Sequence, residues 1–270
     1  MDLSIQETTR HKPFPTIHWV WQYRELLRNL IVRDLKLQYR GAFLGVVWSL
    51  LSPVLLVLVY IVAFNVVLRF RLAHYPLWLL TGLLHWQFFA GATIASSNTL
   101  INNAPLIHNI HFPRFILPLA VVGARGIHLL LAMAAYFLLF IPMGGHLWSG
   151  MLLYPIVLLL QVLFVIGMTL CVSILTLHFR DLKHLLEVGI PMLFWLTPII
   201  YNFSQIPEWA HLWFRLNPMV SYVISYQDIL YLNQVPSIGN WGFMVLFAFG
   251  SLGLGSYLFW RWRSNMEDYL

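Results

Sequence analysis

Six long apolar segments restrict this chain to folds that cross a membrane. A helix needs about 20 residues, each rising about 1.5 Å, to pass through the hydrocarbon core of a bilayer. Five of the segments reach that length, and the one that contains Pro191 and Pro198 falls short by itself. The predicted spans are residues 42–68, 77–101, 115–141, 151–177, 188–203 and 241–262.

The composition excludes a water-soluble enzyme and a disordered chain. Hydrophobic residues make up 60% of the 270 residues and charged residues 10%, against about 25% charged residues in soluble domains. The lone Cys171 excludes a disulfide within the chain. The net charge of +6 indicates basic cytoplasmic loops rather than a nucleic-acid partner. We therefore predict an all-α integral membrane protein with one transmembrane domain, residues 42–262.

Basic residues set the expected orientation. If the N-terminus lies inside, 12 of the 16 lysine and arginine residues fall on the inner side, within residues 1–41, 102–114, 178–187 and 261–270. Cytoplasmic loops carry such an excess. The first 18 residues hold no apolar run of the kind found in a cleaved signal peptide. We expect a cytoplasmic N-terminal region, residues 1–41, and a cytoplasmic tail, residues 263–270.

An amphipathic helix is predicted ahead of the first span, over residues 19–36. Its polar face carries Arg24 and Arg28, and Arg33 follows where the pattern decays. The apolar face covers an arc of about 140° and consists of Trp19, Val20, Tyr23, Leu26, Leu27, Leu30 and Ile31. Such a helix lies flat on the inner membrane surface, among anionic headgroups and membrane lipids. The pattern fits a passive anchor and a lever to a cytoplasmic partner equally well.

Residues 204–236 form an unusual segment before the last span. The segment is too apolar for a solvated loop and too interrupted for a regular span. One or two short helices that dip back into the outer leaflet are predicted, since non-helical backbone at that depth must be buried or line water. The alternative is an outer interfacial helix with aromatic anchors.

The chain lacks the residues that would power transport or catalyse a reaction. A phosphate-binding loop needs glycine before lysine, and the three lysines follow His11, Leu35 and Leu182. His108 and His111 have no nearby carboxylate or cysteine to complete a metal site. Aspartate and glutamate are missing from the centre of every span, where ion-coupled transporters carry them. We predict a transport subunit that is not an enzyme, holds no cofactor or metal, and takes its energy from another subunit.

Several stretches together resemble a known family. The sequence LGVVWSLLSPVLLVLVYIVAF at Leu44–Phe64 is followed by Tyr75–Ala120, which ends in FPRFILPLA. Leu177–Glu208 contains HFRD and LTPIIY, and LNPMVSY stands at Leu216–Tyr222. In this order the stretches resemble the membrane subunit of type-2 ABC exporters, in the branch that exports O-antigen, capsular polysaccharide and teichoic acid.

The resemblance implies a six-span permease of the bacterial inner membrane with both termini in the cytoplasm. It also implies a short coupling helix over residues 103–112, a re-entrant outer gate, and a homodimer paired with two cytoplasmic ABC ATPase subunits that hold Mg-ATP. The expected cargo is a lipid-linked polysaccharide. Three alternatives stay open: a same-architecture exporter of a small lipid or drug, a membrane-embedded glycan transferase, and a purely structural scaffold.

The resemblance and the predicted spans assign candidate residues to four regions. Coupling to the ATPase is assigned to Leu106, Ile107, Ile110, His111, Phe112 and Arg114. The interface helix contributes Tyr23, Arg24, Arg28 and Arg33. The charges of these arginines, or of Arg40, would attract the pyrophosphate of a lipid carrier. Aromatic rings that would stack on sugars along the conduit are Trp48, Tyr60, Phe64, Phe194, Trp195 and Tyr201. The outer gate is assigned to Trp209, Trp213 and Tyr222.

Overall fold

The computed structural model describes residues 21–38, isolated positions between 47 and 63, residues 75–262 except 111 and 143, and residue 266. All regular structure in these residues is helical. The first predicted span, residues 42–68, lies almost wholly outside the described residues. Tyr60, Phe64 and His111 also lie outside them.

The helices are numbered here in chain order. They are α1 (Arg24–Gln38), α2 (Tyr75–Ser96), α3 (Thr99–Asn102), α4 (Ala104–Asn109), α5 (Ile116–Phe140), α6 (Tyr154–His178), α7 (Leu182–Trp195), α8 (His211–Arg215), α9 (Pro218–Leu230) and α10 (Ile238–Trp262). Short 3-10 turns occupy Ser149–Leu153, Phe203–Gln205 and Glu208–Ala210.

Four stretches of helix in the described part of the chain have the length and the apolar composition that a membrane crossing requires. They are Tyr75–Ser96, Ile116–Phe140, Ser149–His178 and Ile238–Trp262. These stretches coincide with the second, third, fourth and sixth predicted spans. Helix α2 ends at Ser96, five residues before the predicted end of the second span at residue 101, because Ser97 and Asn98 form a turn that separates α2 from α3.

The fifth predicted span, residues 188–203, differs most from the structure. Helix α7 begins earlier, at Leu182, and ends at Trp195, before the turns around Pro198. Its 14 residues span roughly 20 Å, less than the hydrocarbon thickness of about 30 Å. Pro191 lies inside α7 and removes one helical hydrogen bond. By itself α7 is not long enough to cross a membrane.

Helix α2 lies at the centre of the bundle and is buried along most of its length. Helices α5, α6, α7 and α9 pack around it. Helix α10 is peripheral and packs most closely on α6, where a Cβ added at Gly255 would overlap the carbonyl oxygen of Gly167. Small residues at crossing points let membrane helices approach closely. The sequence therefore uses Gly167 and Gly255 to hold α10 against the bundle.

The bundle has two ends that differ in what covers them. At one end, the α1 end, a separate group of buried apolar residues joins α1 and α4 to the ends of α5, α6 and α10. This group, the α1 cluster, consists of Leu30, Leu100, Ile107, Ile116, Leu117, Ala120, Leu170, Ile174, Leu177, Phe259 and Met266. At the other end, the α8 end, helix α8 lies against the first turns of α10.

Candidate functional site

Helix α4 occupies the position of the predicted coupling helix. Its six residues start after Asn103, whose side-chain amide donates to the carbonyl of Thr99 at 2.7 Å. Ile107 is buried in the α1 cluster, and Leu106 and Phe112 pack against that cluster. Ile110 is 50% exposed. The structure therefore brings Leu106, Ile107 and Phe112 to one apolar cluster and leaves Ile110 exposed.

The outward face of this segment is more polar than the sequence pattern indicated. Pro105, His108, Asn109 and Ile110 are exposed, while Arg114 is half-buried. The inward turn of Ile107 was not visible in the sequence, because a helix of six residues is too short to show a hydrophobic period. A partner that docks here would meet a histidine, an amide and one isoleucine.

The apolar face of α1 packs against the bundle. Leu30 is 4% exposed, and Tyr23, Leu26, Leu27 and Ile31 pack on the same α1 cluster. Ile31 lies against Gly123 of α5, and a Cβ added at Gly123 would overlap the side chain of Ile31. A movement of α1 would therefore displace α5 through direct contact.

The arginines of α1 point outward beside carboxylates. Arg24 and Arg28 each lie 3.9 Å from a carboxylate oxygen of Glu25, and Arg33 donates to Asp34 at 2.9 Å. Exposed ion pairs of this kind are weak and exchange readily with other partners. The three guanidinium groups are therefore accessible, although Arg33 lies on a different side of α1 from Arg24 and Arg28.

Two of the motifs that carried the resemblance meet at the turn of residues 196–198, the LTP turn, which follows α7. The side-chain amide of Asn217, in LNPMVSY, donates to Oγ1 of Thr197, in LTPIIY, at 2.8 Å. The amide oxygen of Asn217 accepts from the backbone N–H of Met219 at 3.1 Å and so caps α9. One asparagine therefore fixes the start of α9 against the turn that follows α7.

Further hydrogen bonds tie the same turn to α9 and α2. Gln227 donates to the carbonyl of Pro198 at 3.0 Å, and the hydroxyl of Tyr75 donates to the carbonyl of Ile200 at 2.7 Å. Gly82 of α2 allows the close approach, since a Cβ there would lie 3.1 Å from Val223. The irregular backbone around Pro198 is thereby satisfied inside the protein, as a membrane requires.

A buried polar network lies between α2, α5, α6 and α9, and sequence reasoning missed it. The ring of His85 stacks on that of Tyr226 with centroids 3.5 Å apart. The hydroxyl of Tyr226 donates to Gln161 at 2.7 Å, and Gln161 donates to the carbonyl of His85 at 2.9 Å. We call this group the His85 network; its members are Thr81, His85, Tyr136, Tyr154, Gln161 and Tyr226.

The hydrogen bonds define the tautomer of His85. Its Nδ1 lies 2.7 Å from the carbonyl oxygen of Thr81, which can only accept, so Nδ1 carries the proton. Its Nε2 then accepts from the hydroxyl of Tyr154 at 3.2 Å. Thr81 also contacts the hydroxyl of Tyr136 at 3.0 Å. The only sequence signals were two polar residues, His85 and Gln161, inside apolar runs.

The predicted gate residues are not brought together. Trp209 and Trp213 are 78% and 69% exposed at the α8 end. Tyr222 is fully buried in α9, and its hydroxyl donates to the carbonyl of Met244 at 2.9 Å. Tyr222 therefore links α9 to α10, while the two tryptophans face the surroundings.

Three of the predicted conduit residues lie close to one another. Phe194 packs edge-on to Trp195 at 5.6 Å and also touches Trp86. The hydroxyl of Tyr201 donates to the carbonyl of Trp195 at 2.9 Å. Trp195 is 67% exposed and continues an apolar face of α7 formed with Leu185, Val188 and Met192.

The described residues show no cluster of three or more histidine, cysteine, aspartate or glutamate side chains that would hold a metal ion. Arg125, the basic residue inside the third span, is half-buried. Its stem lies beside Gly91 of α2, where a Cβ would be 3.5 Å from its Cδ.

The geometry defines a class: a multi-pass helical membrane protein with an amphipathic helix and a short exposed helix at one end. Comparison with known proteins gives the family. The family model described as "ABC-2 type transporter" matches residues 25–231, and the chain belongs to this family. Members are membrane subunits of transporters. The match extends from α1 to the end of α9.

Three curated relatives are similar over most of their length. The O-antigen export system permease protein RfbA of Myxococcus xanthus is 33% identical over 219 residues, which cover 80% of this chain and 84% of the relative. Two proteins of the same name from Klebsiella pneumoniae are 34% and 35% identical over 216 and 210 residues. Those alignments cover 78% and 76% of this chain and 82% and 80% of the relatives.

Proposed function

We propose that the chain is the permease subunit of an ATP-driven exporter that moves a lipid-linked polysaccharide across the bacterial inner membrane. The observation that carries this proposal is the similarity to three O-antigen export permeases over about four fifths of each chain. The expected cargo is an O-antigen-like polymer, a capsular polysaccharide or a teichoic acid. Both termini lie in the cytoplasm in this proposal, as the positive-inside distribution favours.

A cytoplasmic ABC ATPase docks on α4 and supplies the energy. His108, Asn109 and Ile110 form the exposed face, and the buried Ile107 connects that face to Leu30 of α1. A push on α4 therefore reaches α1 through contacts inside one apolar cluster. Because packed interfaces have discrete arrangements, nucleotide binding in the ATPase shifts the population between two of them.

Two copies of the chain assemble with two ATPase subunits, and the conduit runs between the copies. The shortness of α7 and its exposed apolar face support this arrangement, because a half-span needs a neighbour to complete the passage. Trp195 and its neighbours Phe194 and Tyr201 then offer aromatic rings to sugar C–H faces. Such stacking holds a polymer weakly without selecting one sugar.

The arginines of α1 receive the lipid carrier. Arg24, Arg28 and Arg33 are exposed, Glu25 and Asp34 pair with them at the surface, and Arg24 also lies over the ring of Trp21. A pyrophosphate offers more negative charge and bidentate geometry, for which arginine is suited.

The transport step is tested in vesicles that contain this chain and its ATPase. We expect ATP-dependent movement of a lipid-linked polysaccharide to the far side, measured by accessibility to a membrane-impermeant glycosidase. Vesicles with the chain alone should move none. ATP-driven movement of a small lipid with no movement of the polymer would contradict the cargo, and glycan transfer by the chain alone would contradict a transport role.

The docking site is tested with two isoleucines of similar exposure. Ile110, beside α4, is 50% exposed and Ile101, in α3, is 44% exposed. We expect Ile110→Ser to lower ATP-driven transport at least about tenfold, the effect of losing one well-packed interface contact. Ile101→Ser should stay within about twofold of the parent. Equal effects of the two substitutions would show that α4 is not the docking site.

A further inference from the structure

At the α8 end, Arg215 carries a positive charge that the described protein does not neutralise. Its Nε atom is buried and has no hydrogen-bond partner. None of the ion pairs among the described residues includes this guanidinium. Arg215 as a whole is half-buried, and a half-buried guanidinium beside apolar side chains is stabilised by a counter-charge. The position therefore calls for an anion from outside the chain.

The surroundings of Arg215 hold its guanidinium in one place. The carbon Cζ lies 5.5 Å from the ring centroid of Phe203 and 5.9 Å from that of Phe243, within the range of cation–π contacts. Two rings from different elements thus orient the planar group. An arginine held in this way loses little further freedom when it binds a ligand.

The start of α10 adds hydrogen-bond donors beside this charge. A Cβ placed on Gly239 would lie 3.4 Å from Nη1 of Arg215, so the guanidinium sits at the first turn of the helix. The hydroxyl of Ser237 accepts from the N–H of Asn240. The amides before Asn240 have no carbonyl within the helix to bond, and a helix N-terminus favours anions.

The rim around Arg215 is apolar and faces outward. On α8 and just after it, Leu212, Trp213 and Leu216 are 66%, 69% and 57% exposed, and Ile238 of α10 is 92% exposed. Tryptophan side chains at such a rim lie at the level of lipid headgroups. A ligand that suits this surface combines an anionic group with hydrocarbon chains.

We propose that Arg215, with the first turn of α10, binds the phosphate of a phospholipid headgroup in the leaflet at the α8 end. The phosphate oxygens accept from the guanidinium, and the acyl chains cover Leu212, Trp213 and Leu216. The bound lipid lies across the contact between α8 and α10 and holds the segment before the last span in place. This proposal does not depend on which cargo the protein moves.

The test measures lipid binding by purified protein in a neutral detergent. Native mass spectrometry gives the affinity for phosphatidylglycerol, and the melting temperature is followed with phosphatidylglycerol, with diacylglycerol, which lacks phosphate, and with inorganic phosphate. We expect the parent protein to bind phosphatidylglycerol and to melt at a higher temperature with it. Diacylglycerol and inorganic phosphate should raise the melting temperature much less.

Arg215→Gln should weaken phosphatidylglycerol binding about tenfold, the effect of losing one charge-assisted contact. Arg215→Lys keeps the charge and should lose less. The matched control is Arg180→Gln, which removes an exposed arginine after α6, and it should bind as the parent does. Unchanged binding by Arg215→Gln would overturn the proposal. Equal stabilisation of the parent by phosphatidylglycerol and diacylglycerol would overturn it without any variant, and equal protection by inorganic phosphate would exclude a lipid as the ligand.

Discussion

The α1 cluster and the His85 network hold the protein together in different ways. The α1 cluster joins α1 and α4 to α5, α6 and α10 through the packing of apolar side chains. The His85 network joins α9 to α2 and α6 through hydrogen bonds and ring stacking in the buried core. Hydrogen bonds need fixed angles and distances, whereas apolar burial has no direction. Small shifts of α1 therefore cost less than small shifts of α9.

This difference fits the two tasks proposed for the molecule. A part that receives a push from an ATPase needs a contact that can switch between packed arrangements without breaking directed hydrogen bonds, and the α1 cluster consists of apolar side chains. The irregular chain between α7 and α9 needs its polar backbone groups satisfied, and Asn217, Gln227 and Tyr75 satisfy several of them. The four substitutions below are ordered from the largest expected effect to the smallest.

Gln161→Leu should have the largest effect on stability. The substitution leaves the buried hydroxyl of Tyr226 without its acceptor and the carbonyl of His85 without this donor. Each unsatisfied buried group costs about 1–3 kcal/mol, so we expect the free energy of unfolding in micelles to fall by about 3 kcal/mol. The exposed Gln205 is the control, and Gln205→Leu should change the free energy of unfolding by less than about 0.5 kcal/mol. Similar values for both would show that the His85 network does not hold α9.

Leu30→Ala tests the apolar end. Leu30 is 4% exposed in the α1 cluster, and its truncation leaves a cavity that costs about 2 kcal/mol. Leu37 lies in the same helix and is 54% exposed, so Leu37→Ala should cost less than about 0.5 kcal/mol. Denaturant unfolding in micelles gives both values. A loss at Leu37 as large as at Leu30 would mean that α1 does not pack as described.

Asn217→Ala should cost about 1 kcal/mol. The change removes the N-cap of α9, for which this is a typical value, together with the contact to Thr197. Asn202 makes a similar capping contact to Ser204 at 3.0 Å, but in an exposed 3-10 turn. Asn202→Ala should therefore cost less. If the order were reversed, the Thr197 contact would not anchor α9.

The sequence predicted the long helices well because their physical signal is simple. A run of about 20 apolar residues has few alternatives to a membrane helix, and α2, α5, α6 and α10 each contain one. The motifs around Thr197 and Asn217 were noticed in the sequence because they carry the family resemblance. Their mutual hydrogen bond was not predictable, because it joins positions 20 residues apart across an irregular turn.

The candidate site was predicted less well, and particular residues show why. His85, Gln161 and Tyr226 come from three helices, and no periodic pattern relates residues so far apart in sequence. Tyr222 was assigned to the gate as an aromatic residue, yet its hydroxyl reaches the carbonyl of Met244 and the side chain is buried. Aromatic residues at a membrane surface and in a membrane core look alike in sequence, since both settings select large apolar rings.

Asp34→Asn should have the smallest effect. The substitution breaks the ion pair between Asp34, which is 26% exposed, and Arg33, which is 42% exposed. Exposed pairs contribute about 0.5 kcal/mol, and added salt lowers that contribution further. Glu187→Gln is the control and should change the free energy of unfolding even less, because it removes only surface contacts of 4.0 Å to Lys183 and 3.4 Å to His184. If Asp34→Asn leaves the free energy of unfolding unchanged and tightens binding of a pyrophosphate lipid, the arginines of α1 serve to bind the lipid and not to hold α1 in place. A fall of several kcal/mol in the free energy of unfolding would instead show that this ion pair helps to hold α1 to the bundle. The contrast between an apolar α1 cluster and a hydrogen-bonded His85 network would then be wrong.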